Sequence, residues 1–534
     1  MKQKIRLLLV FLSFGLKLTS YAQNWDEIIK LSAKDRASSD NFGYSVAIDG
    51  EFAIVGAPYN SYDTIGSKSV SWAGAAYIFK LENNSWIQQA KIVANDRASN
   101  DNFGLSVAIS GNKAIVGAYK NSTDVNNLNT ISASGSAYVF KFENNVWKQE
   151  AKLVAKDRGV NDLFGYSVGI SNNYAIIGAY NDAEDSNGQN TLAVSGSAYV
   201  FKFESNNWIE QTKVVPNDRA LYDSFGFSVA IDGDNAIVAS YKDDEDNNGS
   251  NTLANSGSAY IFSLVNNNWI QTAKLTASDR AANDLFGISV SISKNRAIVG
   301  SYQDDEDANN LNSKADAGSA YIYILENNLW RQEAKIVAKD RGIGDFFGIS
   351  VAISNNQIIV SAVRDADDSN GLNPLVTAGS AYIFILENNS WVQKNKITPK
   401  DRGLNDYFGK SVAISGNNII IGAFQEDEDI NNTNTKSNAG SAYIFNKSVV
   451  SEIQDKNLDS HSTIYPNPSL GNFNLNLLTN TYLYISTYKG EKIFEKNFSS
   501  GYHSINLTDL NEGIYYSTFV SEDKTTTYKI VILK

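Results

Sequence analysis

One spacing governs what this chain can fold into. An Asp-Arg pair begins at Asp35 and returns at Asp96, Asp157, Asp218, Asp279, Asp340 and Asp401, 61 residues apart each time. Phe-Gly pairs at Phe42, Phe103, Phe164, Phe225, Phe286, Phe347 and Phe408 keep the same period, as do the tyrosines of a Gly-(Ser/Ala)-Ala-Tyr motif up to Tyr443. Seven in-register copies specify a repeat architecture, in which each unit buries its apolar face against its neighbours.

Each copy reads as four strands. In the third they are "FGYSVGI", "YAIIGAY", "GSAYVFKFE" and "WIEQTKVV", rich in Val, Ile, Tyr and Phe and bounded by Asn and Gly. The Asn-Asn and Gly-Asn pairs between them suit tight hairpins, because these residues accept positive φ at low cost. Seven such units make a seven-bladed β-propeller, with an open solenoid as the rival. The ends decide between them. The last copy stops at "GSAYIFNK" (440–447) without its Trp-containing fourth strand, and a lone fourth strand from Trp25 to Leu31 precedes the first copy. The N-terminal strand is therefore expected to complete the seventh blade and close the ring, leaving no exposed edge.

The regions outside the repeats divide cleanly. Residues 1–22 combine Lys2, Lys4 and Arg6 with an apolar run from Leu7 to Leu16 and a Ser20-Tyr21-Ala22 processing site, so they read as a secretory signal peptide cleaved between Ala22 and Gln23. Ten apolar residues ended by Lys17 fall short of the ~20 that span a bilayer, and no later segment reads as transmembrane. The chain has no cysteine, which excludes thiolate chemistry and disulfides. Its two histidines, His461 and His503, lie near the C-terminus, which excludes a Ser-His-Asp triad or a His-bound zinc within the repeats. The net charge is −12; setting aside +4 in the leader, −2 in residues 448–462 and a balanced tail leaves −14 on residues 23–447. That body should repel nucleic acid and anionic membranes and tolerate cations.

The stretches "DRASNDNFGLSVAISGNKAIVGAY" and "GSAYVFKFENNVWKQEAKLV" resemble the FG-GAP repeat, in the bacterial form related to the propeller of integrin α subunits. The resemblance covers residues 25–447 and implies the propeller fold and, by analogy, extracellular binding or adhesion. Integrin-type repeats often hold calcium between their first two strands. Here those hairpins read "ISGNKA", "ISNNYA" or "IDGDNA", too short and too poor in carboxylates for that site.

The carboxylates cluster instead between the second and third strands, in "NDAEDSNGQN", "KDDEDNNGSN", "QDDEDANNLN", "RDADDSNGLN" and "QEDEDINNTN". Aligned by the period they give Asp185 with Asn187 and Asn190, Asp246 with Asn248 and Asn251, Asp307 with Asn309 and Asn312, Asp368 with Asn370 and Asn373, and Asp429 with Asn431 and Asn434. The second copy keeps Asp124, Asn126 and Asn129; the first offers Asp63 in a different setting. Alternating Asp and Asn oxygens suit Ca²⁺, although the spacing is not that of an EF-hand. The other reading is a solvated loop whose Asx side chains cap its own turns. Both remain open from sequence.

The recurring Arg, together with a second Asp two residues before each Phe-Gly (Asp40 to Asp406), reads as an Arg-carboxylate clamp between blades rather than a ligand site, since a specific ligand rarely needs seven copies. The repeated tryptophans read as packing. Trp72 occurs in one copy only, in a loop, and is the candidate exposed contact.

Residues 448–462 read as a linker, and residues 463–534 as a small β-sandwich. Tyr465-Pro466-Asn467-Pro468, Gly490, Leu510, Gly513-Ile514-Tyr515 and Lys529-Ile530-Val531 resemble the type A sorting domain of the type IX secretion system. That resemblance implies the type IX machinery as partner, passage across an outer membrane, and a surface-attached or released product. The expectation is an exported, monomeric propeller that binds an extracellular glycan or protein, with Ca²⁺ as the one cofactor weighed. The alternatives are a secreted carbohydrate-active enzyme using carboxylates of the acidic face, and a purely structural surface protein. No catalytic residue stands out, because a catalytic pair should appear once and break the symmetry.

Overall fold

The computed structural model describes residues 24–448 and, further on, 462–465, 469, 471–477, 479–487, 490–521 and 525–532. The leader with its Ala22–Gln23 junction, most of the 448–462 linker and Pro466–Pro468 lie outside the described residues. Two compact units divide at residue 449.

The first unit is seven four-stranded antiparallel sheets. In the first blade the strands are Ser45–Asp49, Phe52–Ala57, Ala75–Glu82 and Ser85–Ile92. The first strands of successive blades lie against one another, including the seventh against the first, so they surround the axis. The seventh blade takes Phe408–Ser415, Asn418–Ala423 and Ser441–Ser448 from the end of the repeats. Its fourth strand is Asn24–Leu31, paired from Asn24↔Ser448 to Leu31↔Ala442. The expected closure by the N-terminal strand is what forms.

The strand sequences account for their depth. Phe52–Ala57 and its equivalents are buried on both faces, because each lies mid-sheet between two neighbouring blades, and they read as continuous apolar runs for that reason. The first strand alternates buried and half-buried residues. Between the third and fourth strands, Asn83 and Asn84 both adopt positive φ (49° and 62°), the two-residue turn that matches strand twist. Among the described residues, no hydrogen-bonded ladder joins one blade to the next. The blades are held by shared cores, such as Ile420, Ala442 and Ile444 of the seventh with Val55, Tyr77 and Trp86 of the first.

Isolated parallel bridges add a backbone contact at five of the seven junctions, among them Gly74↔Phe103 and Phe42↔Gly440. A Cβ on Gly74 would lie 2.0 Å from the Phe103 carbonyl oxygen, so only glycine lets the backbones meet there. In most blades the Phe-Gly pair is this junction rather than the start of the first strand, which begins at Ser167 in the third blade.

The second unit contains a three-stranded sheet (Ser462–Tyr465, Asn472–Leu477, Gly501–Asn506) and a four-stranded one (Lys492–Phe498, Thr481–Ser486, Gly513–Val520, Thr525–Ile532). Phe473, Leu475, Leu483, Ile485, Phe519 and Ile530 from both sheets share one core, which makes it a sandwich. No helix among the described residues is long and apolar enough to cross a membrane.

Candidate functional site

The connections between blades and the loops after each second strand share one face, and the arginines tie them together. Arg36 Nη1 and Nη2 donate to the carbonyls of Asn434 (2.6 Å) and Asp427 (2.7 Å) of the seventh blade. Arg219 reaches Ala183 O and Asn190 O of the third blade, and Arg402 reaches Asn373 O of the sixth. The clamp between blades is real, but its acceptors correct the expectation. The guanidinium grips backbone carbonyls of the acidic loop, and the carboxylates expected to meet it are engaged elsewhere.

One of them, Asp40, accepts the N–H of Ala37 (2.8 Å) and Asn60 Nδ2 (2.9 Å). The acids that immediately precede the arginines pair with a lysine of the fourth strand. Lys213 Nζ meets Asp157 and Asp182, each at 2.8 Å, and Tyr199 Oη donates to both (2.9 and 2.6 Å). At ring closure Lys30, on the N-terminal strand, meets Asp401 at 2.7 Å and Glu426 at 3.2 Å. Sequence reasoning missed these lysines. The signal was a lysine five residues after every repeat tryptophan, from Trp25 and Lys30 to Trp391 and Lys396.

In the acidic loops, Asp185 Oδ1 accepts the N–H groups of Asn187 (2.9 Å) and Gln189 (3.0 Å), and Oδ2 accepts Asn190 Nδ2 (2.5 Å). Asp307 takes Asn309 N, Leu311 N and Asn312 Nδ2; Asp368 takes Asn370 N, Leu372 N and Asn373 Nδ2. Asp246 repeats this with Asn248, Ser250 and Asn251, and Asp429 accepts Asn431 N and Thr433 N. The backbone carbonyl oxygens of Asn190, Asn251, Asn312, Asn373 and Asn434 are the ones that receive the arginines. Backbone N–H bonds from Leu128 and Ser250 hold Asp124 and Asp246 down at about 2. Asp63 makes the same turn through Ile65, Ser67 and Lys68, so its setting is not different after all. The face toward each carboxylate is thus lined with N–H donors, whereas a cation needs that space lined with oxygens.

The hairpins between first and second strands do not fit the calcium of integrin-type repeats either. They are two-residue turns such as Gly50-Glu51 and Gly111-Asn112, whose residues offer no cluster of carboxylates.

What breaks the sevenfold symmetry is aromatic. The residue after each Phe-Gly is Tyr44, Leu105, Tyr166, Phe227, Ile288, Ile349 or Lys410; the last two lie on the strand nearest the axis and the other five just before it. These meet the residues that leave the second strands. Tyr44 packs edge-on against Phe424 (5.5 Å between centroids), Tyr166 against Tyr119, Tyr180 and Phe227, and Phe227 against Tyr241. Lys410 Nζ lies 4.8 Å from the Tyr44 ring centre, and burial lowers its pKa. Trp72 is 52% exposed and its ring stands 5.7 Å from that of Tyr59. Its backbone sits at φ 52°, the conformation that Ala133, Val194 and Thr377 adopt in other blades, so the loop dictates the backbone and leaves the side chain free to vary. Together these rings form an aromatic arc on this face. Its signal in sequence was the variation at positions 44 to 410, beside a dipeptide that never varies.

The family model for the FG-GAP repeat matches residues 25–79, 86–140, 147–201, 208–262, 269–323, 330–384 and 391–445. That for the secretion system C-terminal sorting domain matches residues 463–533. No curated protein matches the chain.

Proposed function

The chain belongs to the FG-GAP repeat family, and from that premise we propose that it is a binding protein that recognises an extracellular glycan through the aromatic arc on one face of its propeller. Its sorting domain marks it for the type IX secretion machinery, and so for the cell surface or the extracellular space. One observation carries the reading. Trp72 with Tyr59, and Tyr44 with Phe424 and Lys410, are ring contacts made on this face by residues that vary between blades, while the arginine and lysine clamps around them recur from blade to blade. Tyr and Trp supply large, rigid contact area at low entropic cost and dominate many recognition surfaces.

The self-capped acidic loops support a scaffold role for Asp185, Asp246, Asp307, Asp368 and Asp429, so binding is proposed to need no Ca²⁺. Catalysis by the acidic face finds less support, because the buried acids recur in blade after blade and are engaged by Lys and Tyr. The test is binding of the full chain to a panel of immobilised polysaccharides. The double variant Trp72→Ala/Tyr59→Ala should weaken the best interaction roughly tenfold or more. Retention of wild-type affinity by that variant contradicts the proposal.

A further inference from the structure

Two blades differ from the other five at a single buried position. Twenty residues after the Asp that precedes each Phe-Gly stand Asn60 and Asn121 in the first two blades, but Asp182, Asp243, Asp304, Asp365 and Glu426 in the rest. Where asparagine is present its Nδ2 donates to the facing carboxylate, Asn60 to Asp40 at 2.9 Å and Asn121 to Asp101 at 3.0 Å. Where an acid is present, two carboxyl groups face each other with no amide hydrogen between them. Asp162, Asp182 and Glu184 offer oxygens within 4.8 Å of one another, and Asp223, Asp284, Asp345 and Asp406 stand at the equivalent positions to Asp162, with Asp243, Asp304, Asp365 and Glu426 at those of Asp182. Most of these acids are buried: Asp162 is 6% exposed, Asp182 and Glu426 are fully covered.

We propose that the five acid–acid pairs Asp162·Asp182, Asp223·Asp243, Asp284·Asp304, Asp345·Asp365 and Asp406·Glu426 each hold one shared proton, which takes the place of the asparagine N–H and makes the propeller's clamps pH-sensitive. Charge makes the same case. In the first blade Asp35, Asp40 and Lys91 sum to −1; in the third Asp157, Asp162, Asp182, Glu184 and Lys213 sum to −3, an excess of carboxylate that favours holding a proton. The pair in the third blade is also faced by Glu184, Tyr199 and Arg158, and that in the fourth by Asp218, Glu245, Lys274 and Tyr260. Asp279, Glu306, Lys335 and Tyr321 face the fifth, Asp340, Lys396 and Tyr382 the sixth, and Asp401, Glu428, Lys30 and Tyr443 the seventh.

Burial, reinforced by the facing carboxylate, raises Asp162 and Asp284 to about 7 and Asp223 to about 8; Glu426 goes to about 8 through burial and Asp406, while burial takes Asp345 and Asp406 to about 6. Asp40 and Asp101, beside asparagine, are raised to about 6 by burial. A carboxyl with a raised folded pKa binds its proton more tightly folded than unfolded. Its contribution to stability is complete in acid and is lost as pH rises through the folded value.

The test is urea unfolding of the full chain from about pH 6 to about pH 8, with proton release measured on unfolding. Stability of the wild type should fall across this range, by up to tenfold in the folding constant per pH unit for each pair that titrates. Asp182→Asn/Asp243→Asn/Asp304→Asn/Asp365→Asn, which rebuilds the arrangement of the first two blades, should flatten the slope. Stability that is level or rising with pH, or a slope that these substitutions leave unchanged, overturns the proposal. Should the fourfold variant not fold, the wild type and Asp243→Asn decide it by infrared spectroscopy at neutral pH. A protonated-carboxyl band that the single substitution weakens supports the shared proton, and its absence from the wild type refutes it.

Discussion

At the residue scale, a few positions repeat because the backbone leaves no choice, and these were easy to recognise. Gly135 stands where a Cβ would lie 2.0 Å from the Phe164 carbonyl oxygen, so Gly135→Ala must push two blades apart. We expect a loss of about 3 kcal/mol or more in urea unfolding, from overpacking against backbone together with strain at φ 88°. Gly249→Ala is the control: its φ is +65° but nothing lies within 4 Å, so only the left-handed conformation is penalised, by about 1 kcal/mol. The acidic loops were legible as Asx-rich but not as occupied or unoccupied, because the same Asp-x-Asn spacing serves a turn cap and a cation equally well. With the carboxylates turned onto their own N–H groups, Asp246→Ala should quicken amide exchange at Asn248 and Ser250 while leaving the global unfolding midpoint nearly unchanged.

At the element scale, the N-terminal strand is the piece on which the ring depends. Its place was readable from the lone Trp25-to-Leu31 strand, since the incomplete seventh copy needs that partner. What could not be read was the charge chemistry that secures it, because Lys30 meets Asp401 and Glu426 from the opposite end of the repeats. Lys30→Met leaves two buried acids without their cation, and urea unfolding should show a loss of about 3 kcal/mol at neutral pH. Removing residues 24–31 strips the seventh blade of its outer strand and exposes the edge of Ser441–Ser448. That edge is a template for another chain, so the truncated protein should self-associate in light scattering where the full chain does not. The clamp was half legible in the same way. The recurring arginines announced it, but only the fold shows that carbonyls accept them and that lysines take the carboxylates.

At the scale of the whole molecule, sevenfold repetition builds a closed scaffold, and the departures from it supply the chemistry of recognition. Periodicity made the scaffold visible because every copy reports the same constraint. The aromatic arc was visible only as irregularity, since nothing in a linear sequence says that Tyr44, Tyr166, Phe227 and Lys410 all approach one axis. If the face needs no ion, melting of the full chain should be the same in excess EDTA and in millimolar Ca²⁺, whereas an ion bound only by the fold at a hundredfold excess over its Kd would add ~2.7 kcal/mol. The most direct measurement is a binding isotherm, in EDTA, for the polysaccharide retained best by the full chain. It compares wild type, Trp72→Ala/Tyr59→Ala and Asp246→Ala. The predicted result is unchanged affinity for Asp246→Ala and a loss of roughly tenfold or more for the aromatic variant. Binding that disappears in EDTA, or that survives loss of the two aromatic rings, would contradict recognition through the arc.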